Sequence, residues 1–573
     1  MRGNIPISVE RRGVSYWDAL AILLTLGLLV FFAEASRHLL QPLSELRSAP
    51  VSLDPANLPE YAARTTLRML LALLLSLIFT FTYATLAAKS RRAEVLLVPL
   101  LDILQSVPIL GFISVTVVFF MSLAPGRVLG AEFAAIFAIF TSQAWNMAFS
   151  FYQSLRTVPT ELTEASRTFQ LTRWMHFWRV EAPFAMPQLI WNMMMSMSGS
   201  WFFVVASEAI SVGNTTVTLP GVGSYIALAI EQKNLAAVCW AILTMLVVIL
   251  LYDQLLFRPL VAWADRFRFE QQAGVLPPRS FVLDVLRRSR LVAVLTAPVV
   301  RLWRRSLHVR LRPKRESARP MSGAPHGLID WLWTGVIGAL ASYALWRVGA
   351  FVSSGVDLPE VGRAALFGLA TLARVTVLIA LASIIWVPVG VYVGMRPRVA
   401  QAVQPVAQFL AAFPANVLFP IAVSLIVAFR LDPDIWLSPL MILGTQWYIL
   451  FNVVAGASAI PTELRDIGAN LQLRGWLWWR KVALPAVFPF YLTGAITASG
   501  GSWNASIVAE VASWGDTRLQ ASGLGAYIAQ ATDAGDMPRI VLGIAVMSLF
   551  VVAINRVFWR PLYWYAERKF RLG

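Results

Sequence analysis

Long apolar runs recur along the sequence and constrain its fold more than any other feature. Residues 66–88 (TLRMLLALLLSLIFTFTYATLAA) and residues 237–257 (AVCWAILTMLVVILLYDQLLF) are two examples. A helix of about 20 apolar residues is long enough to cross the hydrocarbon core of a bilayer. Hydrophobic residues make up 58% of the chain and charged residues only 14%, whereas about a quarter of a globular domain is charged. The pattern predicts an all-α polytopic membrane protein.

The apolar runs predict twelve membrane spans, in two groups of six. The first run begins near Trp17 and is followed by no small-residue cleavage site, which favours a retained helix over a cleaved signal peptide. The single cysteine, Cys239, lies within an apolar run, so no internal disulfide and no thiolate metal cluster is expected. The predicted spans are 17–36, 66–88, 95–121, 130–152, 188–211 and 235–257, followed by 331–350, 372–395, 403–428, 435–457, 490–512 and 538–558.

One polar stretch occurs twice. The sequence PTELTEASRTFQL at 159–171 superposes on PTELRDIGANLQL at 461–473 when the chain is shifted by 302 positions, and this shift also superposes two GSW tripeptides. Upstream, a shift of 306 positions superposes Arg68 on Arg374. Because the match extends over most of each group of spans, we interpret the chain as a tandem duplication. The predicted parts are a first permease-like half at 1–261, a basic linker at 262–330 and a second half at 331–573.

Basic residues set the expected orientation of the chain. They cluster at the N-terminus, after the second span, in the polar segment after the fourth span and after the sixth span, and the second half repeats this pattern. The positive-inside rule makes these connections cytoplasmic, so both termini and the linker are predicted to be cytoplasmic. Six spans per half give both halves the same orientation. The repeat is therefore parallel, and the halves can pair about an axis along the membrane normal.

The linker carries a large share of the net charge of +17, in RRSR (287–290), RLWRR (301–305) and RLRPKR (310–315). Basic residues that flank spans are the ordinary orientation signal of membrane proteins, so nucleic-acid binding is not expected. The segment LVAVLTAPVV (291–300) is too short to span a bilayer. It is predicted to lie on the anionic inner leaflet as part of a basic amphipathic linker.

Both copies of the polar stretch fall in the loop between the fourth and fifth spans of their half. Thr160 and Thr462 follow a proline and are predicted N-cap residues, and Glu161 and Glu463 then fall in the first turn, where a negative charge suits the helix dipole. The spacing predicts a short helix with a narrow apolar stripe in each loop. The stripes are Leu162, Ala165 and Phe169 in one copy and Leu464, Ile467 and Leu471 in the other.

Two interpretations of the stripes stay open. Each stripe packs against the protein's own loops, or each binds an external partner. The second interpretation is favoured by the duplicated position on one face of the membrane, since two equivalent helices there suit a two-fold symmetric partner.

The loops resemble a motif of permease subunits in binding-protein-dependent ABC importers of the type I fold. In that family Glu-Ala-Ala is followed by three residues, a glycine, six residues, a phenylalanine and a closing Leu-Pro. The matching positions are Glu164, Ala165, Ser166, Phe177 and Pro183 in the first copy and Asp466, Val482, Leu484 and Pro485 in the second. The chain departs from the motif at the glycine, which is Gln170 in one copy and Gln472 in the other.

Further positions look like the nitrate, sulfonate, taurine and bicarbonate branch of this family. They are Thr371, Leu372 and Arg374 at the start of a span, and an acidic residue followed by Gly-x-Gly at Ser207, Glu208, Gly221 and Gly223 and at Ala509, Glu510, Gly523 and Gly525. The resemblance covers roughly 200 residues in each half.

The resemblance implies a fused permease of an ATP-driven importer in the inner membrane. Each loop would supply a coupling helix that docks on one subunit of an ABC ATPase dimer, and ATP-driven closure of the dimer would rock the halves between inward-facing and outward-facing states. A periplasmic or lipid-anchored solute-binding protein would deliver the solute. A small anion such as a sulfonate, nitrate or bicarbonate is the leading expectation, although neutral or cationic heterocycles also occur in this branch.

The residues themselves support a division of labour between this chain and an ATPase. A phosphate-binding P-loop requires Gly-Lys followed by Ser or Thr, and none of the five lysines follows a glycine. The chain is therefore expected to bind no cofactor, and Mg-ATP to bind the partner subunit. The four histidines lack the spacing of metal ligands.

Two other classes of protein fit the sequence less well. An ion-coupled secondary transporter also has twelve spans in two halves, but it needs no pair of matching polar loops. A membrane enzyme would place clustered polar residues on neighbouring span ends, and the sequence shows none.

Glu208 and Glu510 form an acidic pair at equivalent depth near the ends of two spans, about two turns after Trp201 and Trp503. An acidic residue within a membrane usually faces the bundle interior or an aqueous path. Each carboxylate either holds the following glycine-rich segment against its own half, or gates or lines the translocation path together with its tryptophan. The sequence leaves both roles open, and no basic residue at mid-span provides a counter-ion for an anionic solute.

Overall fold

The computed structural model describes residues 16–36, 51–106, 113–212, 215–267, 280–307, 328–458 and 460–570. Four features named above lie outside these ranges: the RLRPKR run, much of the linker around it, the first residues of the chain and its last three. The described part is almost entirely helical, as the apolar runs predict. The helices are α1 (Tyr16–Ser36), α2 (Leu58–Lys89), α3 (Arg91–Ser106), α4 (Ile113–Leu123), α5 (Val128–Arg156), α6 (Thr160–Thr168), α7 (Arg173–Glu208), α8 (Val222–Glu231), α9 (Leu235–Phe267), α10 (Phe281–Arg288), α11 (Arg290–Leu307), α12 (Leu328–Ser353), α13 (Leu358–Gly394), α14 (Pro397–Ala412), α15 (Phe419–Ala428), α16 (Pro433–Met441), α17 (Gln446–Ser458), α18 (Thr462–Asn470), α19 (Gly475–Ala509), α20 (Leu524–Ala534) and α21 (Met537–Ala566).

Fewer helices among the described residues have the length and hydropathy of a membrane span than the twelve spans predicted. Within the described ranges, eight helices are long and apolar enough to cross a membrane: α2, α5, α7, α9, α12, α13, α19 and α21. A ninth span is obtained if α16 and α17, which meet at a bend of 43°, count as one. Described helices also lie at the three remaining predicted positions: α1 at the first, α3 and α4 on either side of the undescribed residues 107–112 at the third, and α14 and α15 at the ninth, where the predicted span is divided.

Proline explains the break in the ninth predicted span. The helix α14 ends at Ala412, and Phe413 is extended, with φ −68° and ψ 122°. Phe413 precedes Pro414, and the proline ring disfavours the helical conformation in the residue before it. The chain then forms a short 3-10 turn at Ala415–Leu418 before α15 begins.

Two short β-hairpins follow the long helices α7 and α19, where the sequence predicts continued helix. Strand β1 (Ala209–Val212) pairs antiparallel with β2 (Thr215–Thr218), and β3 (Val511–Trp514) pairs antiparallel with β4 (Thr517–Gln520). The predicted spans 188–211 and 490–512 therefore each end three residues too late. The signal lies in the sequence, because a Gly-Asn or Gly-Asp pair stands between β-branched and aromatic residues in each hairpin.

Contacts within the chain group its residues into two compact units. The smaller unit comprises 1–37, 153–191 and 250–323, and the larger unit comprises the remaining residues. In the larger unit α13, α17 and α19 pack on one another around a buried core. Its largest fully buried side chains include Trp201 and Trp503, each 1% exposed.

The smaller unit contains the described part of the linker. The helices α10 and α11 both contact α1, and the Ser289 hydroxyl between them donates a hydrogen bond to Asp18 at 2.8 Å. The ring of Trp303 in α11 packs edge-on against Trp178, with ring centroids 4.7 Å apart. The predicted linker segment 291–300 thus belongs to a helix of 18 residues.

Candidate functional site

The duplicated polar stretches form the predicted short helices, α6 and α18. Each helix begins one residue earlier than predicted, since the N-cap is Pro159 or Pro461 rather than the threonine that follows. The fixed φ of proline combines with ψ near 142° or 144° to give the extended geometry of an N-cap. Thr160 and Thr462 are therefore the first helical residues, and Glu161 and Glu463 lie in the first turn as expected.

Both loop helices end in the same turn, at the position where the resembled motif has glycine. Gln170 has φ 49° and Gln472 has φ 52°. In the first copy the amide of Gln170 donates to the carbonyl of Arg167 at 2.9 Å, and the amide of Leu171 donates to that of Ser166 at 3.0 Å. The second copy repeats both bonds. This is a Schellman turn, which usually places glycine in the left-handed conformation. The glutamines therefore adopt the glycine conformation despite their side chains.

The apolar stripes of the loop helices are partly exposed. Phe169 is 77% exposed, Ile467 is 52% exposed and Leu471 is 66% exposed. Leu162 and Leu464 are half-buried, and Ala165 is exposed. Farther along the motif Phe177 is buried, while Pro183 and Pro485 are half-buried. Among the described residues, those at the C-terminal end of each stripe are thus exposed. They can contact another molecule.

A buried arginine cluster joins four elements of the first copy. Nε and Nη2 of Arg68 in α2 each donate to a carboxylate oxygen of Glu132 in α5 at 2.6 Å. Nη1 of Arg68 donates to Glu208 at the end of α7 at 2.7 Å and to the carbonyl of Pro220 at 3.1 Å. The side chains of Arg68, Glu132 and Glu208 are 3%, 7% and 0% exposed. Arginine suits this arrangement because its planar fork binds a carboxylate through two parallel hydrogen bonds.

Glu208 also holds the glycine-rich segment that follows the first hairpin. Its carboxylate accepts from the Thr65 hydroxyl at 2.7 Å and from the amide of Gly223 at 2.7 Å. The Thr65 hydroxyl in turn accepts from the amide of Val222 at 3.0 Å. A Cβ atom at Gly221 would overlap the Glu208 carboxylate, so only glycine allows this close approach.

The second copy contains an equivalent cluster that is more exposed to solvent. Arg374 donates to Asp434 at 2.9 Å and to Glu510 at 3.1 Å. Glu510 accepts from the Thr371 hydroxyl at 2.8 Å and from the amide of Ala526 at 3.0 Å. The side chain of Asp434 is 45% exposed, and that of Arg374 is 14% exposed. The shorter acid therefore leaves this cluster accessible to water.

The two copies also contact each other beside the second hairpin. The amide of Gly515 donates to the carbonyl of Ile230 at 3.3 Å, and Nζ of Lys233 lies 3.1 Å from Asp516. The hydrogen bond and positive charge of Lys233 lower the pKa of the exposed Asp516 carboxyl. The turn after α8 of the first copy thus meets the hairpin of the second.

Comparison with known proteins identifies the family. The family described as binding-protein-dependent transport system inner membrane component matches residues 63–258 and again residues 386–568. These two matches together cover more than half of the chain. The chain belongs to this family. The double match confirms the tandem fusion of two importer permease domains that the repeat predicts.

Curated relatives agree with this assignment. The nitrate import permease protein NrtB of Leptolyngbya laminosa is 29% identical over 186 residues, 32% of this chain and 63% of its own length. The bicarbonate transport system permease protein CmpB of Synechococcus elongatus is 29% identical over 196 residues, 34% of this chain and 66% of its own length. A putative ABC transporter permease protein of Methanocaldococcus jannaschii is 24% identical over 176 residues, 31% of this chain and 62% of its own length. The tandem permease thus spans slightly less than two thirds of each of these relatives.

The arginine clusters of the permease were not recognised from the sequence. Arg68 and Arg374 align the two copies, and Arg374 also resembles a family position, but neither Glu132 nor Asp434 belongs to a predicted site. A usable signal exists, because Glu132 and Asp434 are related by the shift of 302 positions that also relates Glu208 to Glu510. A repeated arginine with two repeated acids predicts a repeated ion cluster.

The clusters also bear on the roles left open for Glu208 and Glu510. Each carboxylate is bound within its own copy, and Trp201 and Trp503 are buried. The geometry favours the structural role. The structure also places Arg68 within the long helix α2 rather than at the end of a span. Its charge is compensated by two acids, so it provides no free counter-ion for an anion. Among the described residues no group of three or more His, Cys, Asp or Glu is placed to hold a metal ion.

Proposed function

We propose that this chain is the membrane-spanning part of an ATP-driven importer in which the loop helices α6 and α18 each dock on one ATPase subunit. The observation that carries the proposal is the exposure of Phe169 and Leu471 at the same place on two equivalent helices in a chain of this permease family. Exposed apolar groups rimmed by polar residues mark protein interaction sites. The loops, the linker and both termini face the cytoplasm in this proposal.

The arginine clusters supply the rigidity that such a mechanism requires. Each cluster ties two long helices to the start of the helix that follows the hairpin, within one copy. A displacement of the loop helix, which precedes α7 or α19 directly, is then transmitted to several elements together. Alternating access follows if the two copies rock relative to each other as ATP closes the ATPase dimer.

A small anion remains the proposed solute. The named relatives import nitrate and bicarbonate, and both solutes are small anions. Because neither Arg68 nor Arg374 is free to pair with an anion, we assign the selection of the solute mainly to a solute-binding protein on the opposite face. Uptake assays with that binding protein and labelled nitrate, bicarbonate or taurine test this assignment.

The docking proposal is tested by placing a charge in each stripe. In Phe169→Asp and Leu471→Asp, docking would bury an unpaired carboxylate, which costs several kcal/mol. We expect ATPase association to fall at least tenfold, since about 1.4 kcal/mol corresponds to a factor of ten, while membrane insertion persists. ATP hydrolysis stimulated by the binding protein should fall in parallel.

The chain offers matched controls one residue away. Thr168 and Asn470 are exposed neighbours outside the stripes, so Thr168→Asp and Asn470→Asp add the same charge beside the proposed interface. These variants should retain association within about threefold. Equal association of the stripe variants and the controls would refute the assignment of α6 and α18 as coupling helices.

A further inference from the structure

The second copy contains an apolar cavity of about 1040 Å³ that the proposed coupling mechanism does not use. It lies between α13, the first turns of α19 and the C-terminal part of α21, and its walls include Ile384, Val387, Leu484 and Phe488. The hydroxyls that line it are already paired, because the Ser383 hydroxyl donates to the carbonyl of Ile379 at 2.6 Å and lies 3.0 Å from the Tyr491 hydroxyl. The walls therefore offer an apolar surface to an occupant.

The residues around the cavity are those of a membrane interface. Its wall at Pro388 stands six residues before Gly394, where α13 ends, which is about 9 Å at the rise of an α-helix. Arg396 and Arg398 follow this end, and Trp476 and Tyr565 line the cavity. Tryptophan and tyrosine concentrate at membrane interfaces, and basic residues flank span ends.

A single cationic side chain, Arg480, lines the cavity. It is exposed, and its guanidinium forms no ion pair or hydrogen bond with the described residues. A molecule with an apolar chain and a phosphate would bury the chain against Ile384 and Val387 and place the phosphate on the guanidinium. Guanidinium and phosphate form strong, often bidentate hydrogen bonds.

The first copy does not repeat this arrangement. The residue equivalent to Arg480, at the shift of 302 positions, is Trp178, and its ring packs against Trp303 of the linker helix. At this position, only the second copy therefore has a cationic side chain.

We propose that the cavity of the second copy binds one anionic phospholipid, with its phosphate on Arg480 and an acyl chain along Ile384 and Val387. The site borders the loop motif, since Leu484 and Pro485 line it, but the exposed stripe residues Phe169, Ile467 and Leu471 do not.

The test measures lipid retained by the purified chain. The protein is reconstituted in phosphatidylcholine with phosphatidylglycerol, extracted in mild detergent and examined by native mass spectrometry. Arg480→Ala removes the phosphate partner, and Ile384→Trp fills the cavity from a side chain that is 70% exposed, so the core is preserved. We expect the wild-type chain to retain one phosphatidylglycerol and each variant to retain at least fivefold less.

Two controls separate this site from general lipid binding. Lys481→Ala removes the neighbouring charge, and Leu381→Trp adds the same bulk one turn away at a residue that is 53% exposed. Neither residue lines the cavity, so both variants should retain lipid within twofold of wild type. Equal retention by all variants would overturn the proposal. Loss of ATPase association in Ile384→Trp with unchanged lipid retention would also overturn it, and would assign the cavity to the ATPase interface.

Discussion

Glu132 and Asp434 occupy the same position in the two copies but differ in burial. The side chain of Glu132 is 7% exposed, whereas that of Asp434 is 45% exposed. Breaking a buried ion pair by removing one partner costs about 3 kcal/mol or more, whereas an exposed pair contributes less than about 1 kcal/mol. Because the partner is arginine in both copies, the repeat allows the effect of burial on the strength of the ion pair to be compared.

We predict that Glu132→Ala destabilises the protein much more than Asp434→Ala. In the first variant Nε and Nη2 of the buried Arg68 lose their partners, whereas in the second variant water replaces the lost carboxylate. Thermal unfolding of the purified chain in detergent measures the difference. Equal shifts in Tm would contradict the assignment of the first cluster as the more tightly buried one.

The glutamines in the left-handed conformation give a second prediction at this scale. A side chain in that conformation costs about 1 kcal/mol, and glycine avoids the cost. We expect Gln170→Gly to be more stable than Gln170→Ala, because both remove the polar side chain but only glycine removes Cβ. The same order should hold at Gln472. Hydrogen exchange of the amides that follow each loop helix measures it, and faster exchange in the glycine variants than in the alanine variants would show that no such strain exists.

The site residues that could be predicted from the sequence interact with residues nearby in the chain. Those that could not be predicted interact with residues far away in the chain. The loop helices were predictable because proline, the acidic first turn and the apolar stripe all fall within 13 positions. Arg68 contacts acids 64 and 140 positions away, and no local pattern specifies such pairing. The repeat was the one feature that could have specified it, through the equivalent pair Glu132 and Asp434.

Among the elements, hydropathy predicts the helices but not their interruptions. An apolar run predicts a helix. Its hydropathy does not reveal the proline at 414 that ends α14, nor the hairpins that follow α7 and α19. The hairpins are short, and their strands continue directly from apolar helices, so hydropathy alone does not separate them from the spans.

The linker helix α11 carries a prediction at the scale of elements. Val294, Leu295 and Leu302 are 70%, 65% and 66% exposed, and Arg301 and Arg305 lie near this apolar face. Such a helix binds an anionic lipid surface. We predict that a polarity-sensitive dye at Leu302→Cys, in a Cys239→Ser background, is shielded from a water-soluble quencher in membranes that contain phosphatidylglycerol.

Charge provides the control for this prediction. Replacing Arg301, Arg304 and Arg305 by glutamine should restore quenching, as should high salt, because surface electrostatics are screened. Quenching that is equally efficient in phosphatidylcholine and in phosphatidylglycerol membranes would rule out an interfacial position for α11.

At the scale of the whole molecule, the basic residues in the connections between spans predict how the chain is oriented in the membrane. Reporter fusions at Gly323 and at Gly573, both outside the described residues, should each report a cytoplasmic location, because six crossings are predicted for the second copy. A periplasmic signal at either position would mean that the number of crossings in one copy is odd.

The central claim is that a single chain supplies both permease domains of the importer. Native mass spectrometry of the complex with its cognate ATPase tests this claim most directly, since the permease chain has a mass of 63.4 kDa and each added copy is resolved. The account predicts one permease chain with two ATPase subunits, and one ATPase subunit fewer when either Phe169→Asp or Leu471→Asp is present. A complex that contains two permease chains for two ATPase subunits would contradict it.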